Sequence, residues 1–254
     1  MGRLSDPEMK RHYSRRYNPK PFHNNVVRIL SKRGICSRKQ ALQWVQEGRV
    51  TVNGRTILDP GLQVDLQDRI LIDRKSPARK AKRCLLLHKP SGYITTRQDE
   101  RGRKTVYDLL PEDWDPNDWI FPVGRLDRDS EGLLVFTNDT DLGDRLTDPK
   151  HRVPRTYKVW LAGELSNAEV GRVCGGMEIG RGERSGAAEI KVLNRTSTAT
   201  YLQIILTEGK NREIRRIFEI LGKPVERLLR TRFGPFALGN LEPGEWREVA
   251  IPGY

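Results

Sequence analysis

Residues 124–139 read GRLDRDSEGLLVFTND, a turn of alternating acids and bases that runs straight into an apolar strand. Arg125 and Asp127 stand just before it, Gly132 leads into it, and Leu133, Leu134, Val135 and Phe136 follow without a polar break. An apolar run of this length bounded by turn residues reads as a buried strand. By residue type alone, Asp127, Asp129 and Glu131 are loop acids of the kind that cap backbone amides. A metal site fits them less well. Arg125 and Arg128 stand among the acids, no histidine is near, and the EF-hand spacing is missing.

Working outward, CLLLHKPSGYITT (84–96) reads as a buried strand, a Lys-Pro-Ser-Gly turn and a β-rich run. Further strands are expected at 132–137, 156–161, 187–193 and 200–206, and helices at 105–110, 140–147, 166–174 and 211–221. They interleave without a strict βαβ rhythm, which predicts an α+β domain rather than a doubly wound sheet. No internal repeat is present. In the last helix Ile214, Ile217, Phe218 and Leu221 fall at i, i+3, i+4 and i+7, so one stripe faces the core. Arg212, Arg215, Arg216 and Glu219 then lie on its other faces. The stretch 210–232 holds eight basic residues against three acidic, a candidate wall for an RNA groove.

Ahead of this domain, residues 1–25 are polar, basic and broken by Pro7, Pro19 and Pro21, which predicts a disordered arm. From Val26 two short helices are expected, the first stopping at Gly34 and the second running from an N-cap at Ser37 to Gly48. RVTVNGRTI turns at Asn53-Gly54, a strong hairpin signal, and QVDLQDRILID supplies a last strand. Residues 74–83 form a basic linker with six Lys and Arg in ten positions. The acidic stretch PEDWDPNDW (111–119) reads as a solvated loop packed down by Trp114 and Trp119.

Charged residues make up 31% of the chain and hydrophobic residues 36%, the balance of a soluble globular protein. No apolar run reaches membrane-spanning length, and the start lacks the apolar core of a signal peptide. Cys36, Cys84 and Cys174 are scattered, no CxxC occurs and the four histidines are far apart, which points to the reducing cytoplasm rather than to disulfides or zinc. Residues 1–83 carry 20 Lys and Arg against 7 Asp and Glu, whereas residues 84–254 carry 26 of each. The whole surplus of +13 therefore sits in the first third, as expected of a leader that meets a polyanion ahead of a neutral body.

Several runs taken together resemble one family. GRLDRDSEGLL resembles the signature of the pseudouridine synthases of the RsuA/RluB type. HKPSGYITT (88–96), RTYKVWL (155–161), EGKNREIRRIFEILG (208–222) and LLRTRFGPFALGNLEPGEWRE (228–248) are similar to its other motifs, in order. GICSRKQALQWVQEGRVTVNG (34–54) resembles the small RNA-binding domain named after ribosomal protein S-four, so similarity spans roughly residues 26–250. The resemblance implies a disordered arm (1–25), an S-four-like domain (26–73), a basic linker (74–83) and a catalytic domain (84–254) on a largely antiparallel mixed sheet.

It also implies a reaction: uridine in ribosomal RNA becomes pseudouridine, with the target base flipped out of its stack. That chemistry calls for a carboxylate beside the ribose and for no redox group, metal or cofactor. Asp127 is the matching nucleophile, either forming a covalent intermediate with the ribose or assisting a glycal one. Tyr157 matches the tyrosine that stacks on the uracil and helps move a proton, and Lys210 matches the cation paired with the aspartate, a role Arg212 or Arg215 could share. RNA contacts are expected from Lys32, Arg33, Arg38, Lys39 and Arg49 in the small domain. In the large one they are expected from Arg125, Arg212, Arg215 and Arg216. The expected partner is ribosomal RNA or a ribosomal assembly intermediate, bound by a monomer. Two rivals stand beside this reading: a non-catalytic RNA-binding or assembly factor, and a metal-dependent nuclease using Asp127, Asp129, Asp139 and Asp141.

Overall fold

Short local signals build the N-terminal part. The computed structural model describes residues 25–65, 67–77, 81–111 and 119–253; residues 1–24 of the expected arm, 78–80 of the linker and 112–118 of the acidic stretch lie outside the described residues. Two helices, α1 (Val26–Lys32) and α2 (Arg38–Gln46), precede an antiparallel sheet of β1 (Val50–Val52), β2 (Arg55–Thr56) and β3 (Ile70–Ile72), in the order β2-β1-β3. Asn53 and Gly54 both take positive φ, 51° and 81°, as a two-residue hairpin turn requires. The Asn53 side chain fixes that turn, accepting from the Arg69 amide at 3.0 Å and donating to Asp68 at 2.8 Å. Ile29, Leu30, Ala41, Val45, Val50 and Ile70 are buried as the core of this part.

By contacts the described chain divides into two compact units. Residues up to 30 together with 38–77 form one, and residues 31–37 together with those from 81 onward form the other. The second contains one nine-stranded sheet. Its strands are β4 (Cys84–Lys89), β5 (Phe121–Pro122), β6 (Glu131–Thr137), β7 (Arg155–Ala162), β8 (Glu189–Arg195), β9 (Ala199–Leu206), β10 (Val225–Phe233), β11 (Phe236–Ala237) and β12 (Trp246–Glu248). The order is β12-β4-β6-β10-β7-β9-β8, with β5 on β6 and β11 on β10. Among these strands only β6 and β10 pair in parallel, and the other strand pairs are antiparallel. This is the expected α+β, largely antiparallel mixed sheet.

Three helices flank it: α3 (Thr140–Thr147), α4 (Asn167–Cys174) and α5 (Glu213–Ile220). The segment expected as a helix at 105–110 is a single 3-10 turn, Val106–Leu109. Strand β10 was not expected. Glu226, Arg227, Arg230 and Arg232 hide its alternation, because a buried arginine occupies a position where a strand pattern would show an apolar residue.

Alternation along β4 and β6 divides the core between the two sheet faces. Leu85, Leu87, Leu134 and Phe136 join Tyr157, Val159 and the α5 residues Ile214, Ile217 and Phe218. Leu86, Leu133 and Val135 join Leu142 and Leu146 of α3 and Phe233. Because both faces are covered, all six residues of β4 are buried. Gly132 has φ +102°, and a β-carbon there would run into the Arg230 backbone, so this glycine permits the close parallel approach of β6 to β10.

Candidate active site

The turn between β5 and β6 carries Asp127 and is held from beneath. Lys89, at the end of β4, is fully buried, and its ammonium donates to the carbonyls of Pro90 (3.0 Å), Arg128 (3.2 Å) and Ser130 (2.7 Å). The Gly92 amide also donates to the Arg128 carbonyl, at 2.8 Å, and the Thr95 hydroxyl donates to the Leu126 carbonyl at 2.8 Å. The Lys-Pro-Ser-Gly turn is thus the platform on which the aspartate turn rests. Burial pulls the Lys89 ammonium down to about 8, although the carboxylates of Asp129, Asp127 and Glu131 favour its charged form.

Above the turn, cations arrive from the start of α5. Arg212 takes a left-handed conformation (φ 49°) at the helix N-cap. Its guanidinium reaches Asp127 at 3.6 Å and Asp129 at 3.2 Å. Arg215 pairs with Asp129 at 3.3 Å and donates to its carbonyl at 2.8 Å. Burial pushes the Asp129 carboxyl up, but the Arg212 hydrogen bond and the Arg215 charge outweigh it and hold the group below its ordinary value.

Asp127 and Tyr157 line one cleft of about 480 Å³, together with Lys210, Arg212, Arg155 and Arg230. Tyr157 lies on β7 with 9% of its surface exposed, directly across from Arg230 on β10. Lys158 and Trp160 occupy the opposite face of that strand, where Trp160 stacks on Tyr201 at 4.7 Å. A second cavity of about 420 Å³ lies on the other side of the aspartate turn and shares Arg125, Leu126 and Asp127 with the first.

Lys210 is placed differently from the role the resemblance implied. Its ammonium pairs with Glu208 at 2.7 Å and donates to the Arg184 carbonyl at 2.7 Å, so the cation at Asp127 is Arg212. Glu208 also accepts from the Gly186 amide. Glu213, the first residue of α5, is buried; it accepts from the Lys210 amide at 3.1 Å, and its Oε1 has no partner. Burial, reinforced by the Glu208 carboxylate, raises the Glu213 carboxyl far above the usual carboxylate range.

The other basic residues singled out in the sequence divide into two kinds. Arg125 is exposed beside the cleft, and Arg38 and Lys39 are exposed on the first turn of α2. Lys32 and Arg33 are exposed and group by contacts with the second unit. Arg49, by contrast, pairs with Asp73 at 2.7 Å and lies over the Trp44 ring. Arg216 is bound to the Ile179 and Gly180 carbonyls and to Glu183 at 2.6 Å, which gives it a structural anchor. Four residues that the sequence reading did not name as site residues line or support the cleft: Lys89, Arg155, Glu213 and Arg230, the last read only as part of a basic groove wall. For Arg155 the signal was available, since it stands two positions before Tyr157 and period-two alternation puts both on one face.

The acids required by a nuclease do not converge. Asp127 and Asp129 precede β6, whereas Asp139 follows it, caps α3 and pairs with Lys82 at 2.8 Å. A strand of this length separates them by about 20 Å.

Comparison with known proteins bears on the same residues. The model of the family described as RNA pseudouridylate synthase matches residues 83–219, and the S4 domain model matches residues 26–70. A protein of Aquifex aeolicus (strain VF5) named "Uncharacterized RNA pseudouridine synthase" is 34% identical over 226 residues, 88% of this chain and 89% of that one. "Ribosomal large subunit pseudouridine synthase B" of Bacillus subtilis (strain 168) is 31% identical over 228 residues, 88% of this chain and 91% of its own. A solved structure described as "Crystal structure of pseudouridylate synthase" superposes with a TM-score of 0.66 at 24% identity, covering 89% of this chain and 96% of that one, and shares the fold.

Proposed function

Since this chain belongs to the RNA pseudouridylate synthase family and carries an S4 domain ahead of its synthase domain, we propose that it converts a specific uridine of ribosomal RNA to pseudouridine, with Asp127 as nucleophile. The observation that carries this reading is the meeting of Asp127 and Tyr157 in one cleft, with the Arg212 guanidinium 3.6 Å from the carboxylate. The name of the Bacillus subtilis relative supports ribosomal RNA as the substrate. The enzyme acts as a cytoplasmic monomer on free RNA or on an assembling ribosomal particle.

The target uridine leaves its stack and enters the cleft, where the Tyr157 ring gives its base a stacking surface. Unstacking costs a few kcal/mol, and one aromatic platform returns about 1–3. An Asp127 oxygen bonds to the ribose C1′ while the bond from C1′ to uracil N1 breaks, its electron pair passing to N1. The freed ring turns, C5 bonds to C1′, and the Asp127–C1′ bond breaks to restore the carboxylate. The C5 proton leaves, with Tyr157 assisting the transfer, and N1 takes up a proton. Atoms and electrons balance without a co-substrate. Arg212 places a positive charge 3.6 Å from the Asp127 carboxylate. Arg125, Arg38 and Lys39 are exposed and free to neutralise phosphates.

Pseudouridine mapping of ribosomal RNA from cells with and without this protein tests the reading. One modified position should disappear, return with the wild-type gene and stay absent with Asp127→Asn. Restoration by the Asn variant would favour a non-catalytic RNA-binding role.

A further inference from the structure

Two arginines that line the cleft form no ion pair among the described residues. Arg155 begins β7 two residues before Tyr157, and Arg230 lies on β10 directly across from Tyr157. Both guanidiniums lie against the same ring, each 4.9 Å from the centre of Phe233, and both line the cleft that holds Asp127. Arg155 donates to the carbonyls of Val153 and Leu146, each at 3.2 Å, and Arg230 donates from Nε to the Leu133 carbonyl at 2.8 Å. Arg230 is 2% exposed, and its Nη2 is buried with no hydrogen-bond partner. Among the described residues neither arginine has a carboxylate within ion-pair distance.

The nearby acids are already committed. Arg212 pairs with Asp127 and Lys210 with Glu208. Glu213 favours the charged form of Arg155, but its own carboxyl is raised by burial and by the Glu208 carboxylate, and it forms no ion pair with Arg155 among the described residues. One phenyl ring compensates one buried and one partly buried cation only weakly. A cleft floor with two permanent positive charges and an unused buried donor suits an oxyanion brought by the substrate. The planar fork of a guanidinium matches the paired oxygens of a phosphate.

We infer that Arg155 and Arg230 form a phosphodiester site, receiving the phosphate that adjoins the nucleotide whose base stands against Tyr157. The inference rests on the isomerase reading above and adds a place for the backbone of the flipped nucleotide. Binding one charged linkage this deep also favours a nucleotide that has left the helix over one still stacked in it.

The test couples a change in the RNA to a change in the protein. The stem-loop around the mapped uridine is made with all phosphates, or with one neutral methylphosphonate on either the 5′ or the 3′ side of that uridine. Wild-type enzyme should lose about 30-fold in kcat/KM with one of the two neutral linkages, as expected for a charge-assisted contact. Arg155→Gln should show a similar loss on all-phosphate RNA and less than about 3-fold further loss on that linkage. Arg155 is only partly buried, so this variant carries the test if Arg230→Gln fails to fold; Arg155→Lys, which keeps the charge, should recover much of the loss. Losses that simply add, or indifference of the wild type to both linkages, would overturn the inference while leaving the isomerase reading intact. Absence of pseudouridine in the all-phosphate RNA with wild-type enzyme would sink both.

Discussion

Basic residues do opposite work in the two units. On the first turn of α2, Arg38 and Lys39 are exposed, on a part of the chain that carries the entire charge surplus. Along residues 84–254, whose charge is balanced, Lys89 and Arg230 are buried and Arg215 and Arg216 nearly so, each bound to backbone carbonyls. Exposed cations raise the local concentration of a polyanion and are sensitive to salt. Buried cations hold loops in place or await a particular anion, and salt screens them far less. A concentrated net charge therefore attracts a polyanion, whereas buried guanidinium and ammonium groups hold the loops of the cleft in place.

The largest effect that separates the two regions should come from Lys89. Lys89→Met keeps the bulk but leaves three carbonyls without their shared donor, which releases the Asp127 turn. We expect kcat to fall about 100-fold and Tm to drop by about 5–10 °C. Steady-state kinetics and thermal unfolding would show this, with RNA affinity nearly unchanged. Equal activity in the Met variant would mean that the turn needs no support from beneath.

Next in size is the choice between two neighbouring cations. Arg212→Gln should lower kcat about 30-fold, since Asp127 loses the cation 3.6 Å from its carboxylate. Lys210→Gln should lower kcat less than about 3-fold, because its partner is Glu208. A loss confined to the Lys210 variant would reverse the assignment.

A smaller effect is expected from the exposed side of the comparison. Replacing both Arg38 and Lys39 by Ala should weaken RNA binding about 5–10-fold at moderate salt and flatten the logarithmic salt dependence by about 1.5–2. Binding isotherms across a salt series would measure this, while kcat at saturating RNA stays at the wild-type value. A slope identical to wild type would remove α2 from the interface.

The smallest effect concerns a buried acid. Glu213 has its carboxyl pushed up to about 8, by burial first and by Glu208 second. A raised pKa in the folded state means a stabilising contribution that is complete below the unfolded value, near 4.5, and is lost as pH rises toward 8. Glu213→Gln does not titrate. Its Tm relative to wild type should therefore climb by about 3–6 °C between pH 5 and pH 8 and level off above that. A difference in Tm independent of pH would show that Glu213 is ionised throughout.

Much of this molecule was legible in the residues because much of it is local. The Asn53-Gly54 hairpin, the α5 stripe of Ile214, Ile217 and Phe218, and the strand after Asp127 each depend on neighbours a few positions away. The family motifs pointed to Asp127 and Tyr157 for a similar reason, since short runs of sequence carry them. Strand β10 was not legible, because the burial that tolerates Arg230 is created by Phe233, Tyr157 and the Leu133 carbonyl, which meet only in the folded sheet.

From the sequence alone came the α+β architecture and the basic leader, which follow from periodicity and composition, and the reaction class, which followed from the family resemblance that its ordered motifs carry. Only the tertiary structure decided which cation faces Asp127. Lys210 and Arg212 are two residues apart, and a left-handed kink at Arg212 with Glu208 capturing Lys210 makes the choice. Pairings of that kind depend on distances between segments remote along the chain, and no local pattern encodes them.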